Sequence, residues 1–68
     1  MTKADRLLAT QRLYDRLLPK YSPVIDGKAL QQIVGVRRPS TVIDTDACRV
    51  SRQRYSLYRV AEQIVLLG

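Results

Sequence analysis

The stretch Asp26–Thr41, DGKALQQIVGVRRPST, constrains this chain more than any other. Leu30, Ile33 and Val34 recur at helical spacing, which predicts a short helix over Lys28–Val34 with one apolar stripe. Asp26 stands where a carboxylate accepts the orphan amide hydrogen bonds of a first turn. Gly35 supplies the left-handed backbone that ends a helix sharply. Val36 follows as an apolar plug, Arg37-Arg38-Pro39 as an exposed basic turn, and Ser40 as the cap of a new segment. That order is the first half of a helix-turn-helix. A helix-turn-strand corner competes with it. Thr41-Val42-Ile43-Asp44-Thr45 is rich in β-branched and short polar residues, which are mediocre helix formers.

The chain has 68 residues, room for a single domain (1–68). A chain this short buries only about 60% of the surface it exposes when unfolded. With no Trp, Phe or His and four Tyr, its core must be aliphatic with tyrosine rings at the edges. Association with a second copy or a partner is a natural supplement to so small a core.

Net charge is +6, from 12 Lys and Arg against 6 Asp and Glu, and nine of the twelve bases are Arg. Arginine suits bidentate contacts with phosphate and guanine, so a polyanion is the expected partner and nucleic acid the commonest one. One cysteine, Cys48, forms no internal disulfide, and without histidine the usual zinc sites are excluded. Both fit a reducing cytoplasm. No apolar run approaches the roughly 20 residues that span a membrane, and the amino-terminal residues do not read as a signal peptide. An enzyme is not expected. Acid–base work would fall on a carboxylate, a tyrosine or Cys48, and no spacing places a base beside a nucleophile. No cofactor or metal is expected either.

In chain order, residues 1–18 read as an amphipathic helix, with Thr2 and Asp5 at capping-box spacing and Pro19 as the stop. Ala4, Leu7, Leu8, Tyr14, Leu17 and Leu18 form its expected apolar face. It is a packing helix ahead of a direct DNA contact or, through the wide arc of Leu7, Leu8 and Leu13, a dimer interface. Val24-Ile25 can add a short strand. The region 26–53 holds the helix-turn-helix, with three readings after Ser40. In one, Ser40 caps a recognition helix whose Thr41, Asp44 and Thr45 face outward. In another, a helix starts at a Ser51 cap and presents Arg52 and Gln53 to base edges. In the third, Arg49-Val50-Ser51 and Arg54-Tyr55-Ser56 pair as a hairpin wing with Arg52-Gln53 at its tip. That tip lacks the glycine or asparagine that tight turns prefer. Val50 and Tyr55 are the expected apolar anchors. Residues 54–68 carry the last helix, capped by Ser56, whose apolar face should close on Leu30, Ile33 and Val34.

The stretch Arg54-Tyr55-Ser56-Leu57-Tyr58-Arg59-Val60-Ala61-Glu62-Gln63-Ile64 resembles the carboxy-terminal part of small winged-helix proteins of phages and integrating elements, the excisionase-like and MerR-like group. Tyr21–Val36 is similar to the segment that leads into their first helix. Between Gly35 and Arg54 this chain is shorter than such proteins usually are, and the missing length falls on the base-reading region. The resemblance implies a mainly α, winged helix-turn-helix-like fold with a small β-hairpin, preceded here by the amino-terminal helix. It also implies that Arg37, Arg38, Ser40 and Thr41 belong to the turn and recognition-helix start, and Arg49, Arg52 and Arg54 to the wing.

The expected function is sequence-specific binding of double-stranded DNA by Arg37, Arg38, Ser40, Thr41, Arg49, Arg52, Gln53 and Arg54. The protein would act as an excisionase-like recombination directionality factor or a transcriptional regulator. The expected assembly is a homodimer or a cooperative multimer on DNA, with a recombinase as a further partner. The rival expectation is a small basic adaptor or inhibitor that docks on an acidic protein, which the short region after Gly35 and the pair Asp44 and Asp46 favour.

Overall fold

The computed structural model describes residues 2–67, so Met1 and Gly68, the outer ends of the two predicted terminal helices, lie outside the described residues. Helix α1 (Lys3–Leu17) opens on the predicted capping box. The Thr2 hydroxyl accepts from the Asp5 amide at 3.1 Å and the Asp5 carboxylate accepts from the Thr2 amide at 3.4 Å. At the other end the Leu17 carbonyl accepts from the amides of Lys20 and Tyr21, which turns the chain past Pro19. Strand β1 (Val24–Asp26) then runs directly into helix α2 (Gly27–Val34). Asp26 caps α2 by accepting from the Ala29 amide at 2.9 Å. Gly35 ends it at φ 81°, its amide donating to the Gln31 carbonyl.

Beyond Gly35 the second helix is all but absent. A single 3-10 turn spans Pro39–Thr41, and helix α3 (Thr45–Cys48) is four residues long. Ser40 lies inside the 3-10 turn and caps no recognition helix; Asp44 caps α3 instead, accepting from the Ala47 amide at 3.3 Å. The β-branched run Thr41-Val42-Ile43 resists helix, and the Thr41 amide and hydroxyl both turn back on the Arg38 carbonyl, at 3.0 and 2.7 Å. Ile43 is then free to enter the core rather than a helix face. The helix expected from Ser51 is absent too, because Ser51 ends strand β2 (Arg49–Ser51) and pairs with Arg54 of strand β3 (Arg54–Ser56). Helix α4 (Leu57–Leu67) follows, so residues 54–56 of the predicted last helix are strand.

The fold is therefore mostly helical with a three-stranded antiparallel sheet in the order β1-β3-β2. Central strand β3 matches Val24↔Ser56, Ile25↔Tyr55 and Asp26↔Arg54 on one side. On the other side Arg49 pairs with Tyr55 and Ser51 with Arg54, which leaves Val50 as the extra residue of a bulge. Val50 is 54% exposed, so it is not the apolar anchor expected of it. The Leu57 amide donates to the Pro23 carbonyl at 2.9 Å, tying the start of α4 to the start of β1.

The core takes Ile25 from β1, Leu30 from α2, Ile43 from the segment before α3, Cys48 from α3, and Leu57 and Val60 from α4. Each such aliphatic side chain contributes about 1.5–3 kcal/mol on full burial, and Leu57 and Val60 are the largest wholly covered ones. Tyr14, Leu17, Leu18, Ile33, Val34 and Tyr55 pack around this cluster as partly buried neighbours. α4 shares this cluster with Leu30 of α2, and its most extensive packing is on α1. The apolar face of α1 is narrower than predicted. Leu7 and Leu8 are about half exposed, and the buried residue is Thr10, whose hydroxyl donates to the Arg6 carbonyl at 2.7 Å. No helix among the described residues is long and apolar enough to cross a membrane.

Candidate functional site

The β2–β3 hairpin forms although its tip, Arg52-Gln53, carries neither glycine nor asparagine. Gln53 takes the left-handed conformation itself, at φ 59°, alone among the described non-glycine residues. An L side chain there costs about 1 kcal/mol or more. Pairing of β3 on both edges holds the turn against that cost. The hairpin tip is exposed, with Arg52 and Gln53 both in solvent.

Gln53 does not project alone. A groove of about 510 Å³ separates the hairpin from α2 and is lined by Gly27, Lys28, Gln31, Gln53 and Tyr55, with Asp26 at its end. Lys28 and Gln31 are three residues apart on α2, hence on one helix face, opposite the buried Leu30. Gln31 reaches further. Its side-chain amide donates to the Arg37 carbonyl at 3.0 Å, so the groove wall also fastens the basic loop. Arg38 is held next to it by the two bonds from Thr41 to its carbonyl, while the side chains of Arg37 and Arg38 stay exposed. The hairpin tip and the α2 face line one groove, and the Gln31 bond ties the basic loop to its α2 wall. The acid that lines this groove, Asp26, is committed to capping α2.

The eight predicted residues divide accordingly. Gln53 lines the groove, Arg52 stands beside it at the tip, and Arg37 and Arg38 occupy the loop fastened to the groove wall. Arg54 belongs elsewhere: it lines a separate shallow depression of about 240 Å³ with Lys20, Tyr21 and Ala29. Arg49 is engaged within the fold, its guanidinium 5.9 Å from the Tyr55 ring centre and 3.6 Å from the Asp46 carboxylate. That ion pair is solvent-exposed and contributes little to stability. Thr41 uses its hydroxyl on the Arg38 carbonyl, a structural task, and Ser40 sits in the 3-10 turn without becoming a helix start. Lys28, Gln31 and Lys20 were not anticipated as site residues. The first two were legible as the polar complement of the Leu30, Ile33 and Val34 stripe; Lys20 carried no such signal.

Cys48 is buried in the core, its thiol donating to the Asp44 carbonyl at 3.5 Å. Burial, reinforced by the Asp44 and Glu62 charges and opposed by Arg59, pushes its pKa up to about 11, so it is a packing residue rather than a nucleophile. Among the described residues no three histidine, cysteine or acidic side chains converge as metal ligands. What the surface offers is the side-chain amides of Gln31 and Gln53 with the positive charges of Lys28, Arg37, Arg38 and Arg52 nearby in the fold. No known protein family, curated protein or solved structure matches the chain.

Proposed function

We propose that the protein binds double-stranded DNA through the hairpin tip, the Lys28 and Gln31 face of α2 and the Arg37-Arg38 loop. The observation that carries this reading is the groove, which sets an exposed amide-bearing turn against a polar helix face to which Gln31 fastens the basic loop, in a chain of net charge +6. The order helix, turn, short helix, hairpin, helix supports a winged helix-turn-helix-like arrangement whose second helix is cut to one turn. A four-residue α3 is too short to read the major groove as recognition helices do. Sequence reading then falls to the wing, with Arg52 and Gln53 entering the minor groove, while Arg37 and Arg38 hold phosphates. In this reading the protein is a cytoplasmic regulator of a phage or mobile element. It acts either as an excisionase-like directionality factor beside a recombinase or on a promoter.

One observation favours a second reading. Asp44 and Asp46 are both exposed at α3, where a DNA reader would present donors, and Asp46 leaves 84% of its side chain in solvent. An adaptor that docks on an acidic protein by its arginines would tolerate these aspartates. An electrophoretic shift series separates the two. DNA binding predicts that duplex is retarded more strongly than a single strand of equal length and that retardation weakens steeply with salt. No shift at low salt with either nucleic acid leaves the adaptor reading in place.

A further inference from the structure

The α1–α4 pair is closed at one end and open at the other. Tyr14 and Tyr58 meet edge to face at the closed end, with ring centres 5.3 Å apart. Toward the amino terminus of α1 the pair opens into a groove of about 190 Å³ floored by Leu7, Thr10, Val65 and Leu66. Leu7 is 49% and Leu66 50% exposed, so two apolar side chains of the groove are uncovered, while Thr10 is buried. The two walls carry opposite charge. Lys3 and Arg6 line the α1 side, and Glu62, the one glutamate of the chain, lines the α4 side. The nearby Asp5 is occupied by the Thr2 capping box. Yet Glu62 makes no ion pair across the groove; among the described residues the only one is Arg49–Asp46.

We infer that this groove is an interface between two copies of the chain. A two-fold interface places the same patch on both partners, so every group must meet its own complement. Here the Lys3 and Arg6 wall of one copy meets the Glu62 wall of the other, twice, while Leu7 and Leu66 cover each other. The apolar surface that Leu7 and Leu66 offer is far smaller than the roughly 800 Å² per partner of a standard interface, so the dimer is weak and concentration-dependent. The inference stands independently of DNA binding, since the groove lies on elements that carry none of the proposed DNA-contacting residues.

Charge reversal tests it. Sedimentation equilibrium of the wild-type chain up to about 1 mM should show the mean mass rising toward two chains. Glu62→Arg alone, and Lys3→Glu with Arg6→Glu, should each stay monomeric to at least tenfold higher concentration than the wild type. An equimolar mixture of the two variants should recover the heavier species, which also shows that both are folded. A wild type that stays monomeric throughout, variants that associate as the wild type does, or a mixture without recovery would each overturn the inference.

Discussion

The side-chain amide of Gln31 donates to the backbone carbonyl of Arg37 across the glycine-terminated end of α2. This bond converts a helix residue into the anchor of a basic loop. Gln31→Leu removes the donor while keeping an aliphatic stem on an exposed site. Stability should change by no more than about 0.5 kcal/mol, as for other surface substitutions. Duplex affinity, measured by fluorescence anisotropy, should nonetheless fall about 3- to 10-fold, a loss of roughly 1 kcal/mol from a loosened loop. Affinity equal to the wild type would mean that the loop needs no fastening.

Gln53 sets stability and recognition against each other. Gln53→Gly relieves the left-handed strain at φ 59° and should stabilise the fold by about 0.5–1 kcal/mol in urea titrations. The same change removes a side chain from the groove and should reduce discrimination between a selected duplex and a scrambled one. Arg52→Ala, at the same tip, should cost roughly 1–3 kcal/mol of that discrimination. Methylation of guanine N7 should leave both effects in place, because it blocks only the major groove. Unchanged discrimination in both variants would remove the hairpin from sequence reading.

Cys48 gives the fold an alkaline weakness. Below pH 9 its thiol is protonated in the folded and unfolded chain alike, and stability does not depend on it. Between its ordinary value of 9.0 and its native value of about 11 only the unfolded chain releases the proton, so stability falls as pH rises. The full gap corresponds to roughly 2–3 kcal/mol. The comparison is with Cys48→Ala. That variant starts less stable but should lose less from pH 9 to 11. Parallel pH profiles for the two proteins would show that the thiol ionises normally in the native state.

Those tests fall where local chemistry was least decisive. The elements that could be read from the chain are those with a strong cap: Thr2 with Asp5, Asp26 with Gly35, and Ser56, whose hydroxyl accepts from the Arg59 amide at 3.4 Å. The strand at Val24–Asp26 was also legible, from two apolar residues between a proline and a helix cap. Residues 41–53 were not, because three weak signals compete there. The β-branched run allows strand or irregular backbone, Ser40 and Asp44 are rival caps, and Arg52-Gln53 is a poor turn. Long-range pairing decided the outcome: β1, distant in sequence, covers one edge of β3 and stabilises a hairpin that its own turn would not. On α1, helical periodicity alone ranked Leu7 above Thr10. The buried hydroxyl satisfies itself within the helix, and that local bond is what lets a polar residue take the inner position. The groove joining Lys28, Gln31 and Gln53 depends on the same long-range pairing, so its partners could not be matched from spacing.

Arg37 and Arg38 decide the central claim. Both are exposed, both lie on a loop whose backbone is pinned, and neither is engaged in an ion pair among the described residues. The most direct measurement is the dependence of duplex affinity on salt, taken for the wild type and for the double variant Arg37→Ala/Arg38→Ala. Every phosphate that the protein no longer neutralises should flatten the plot of log affinity against log salt by about 0.9, so the double variant should bind with a slope shallower by roughly one to two units. It should also bind every duplex more weakly by about the same factor. A double variant with the slope and affinity of the wild type would contradict the proposed interface.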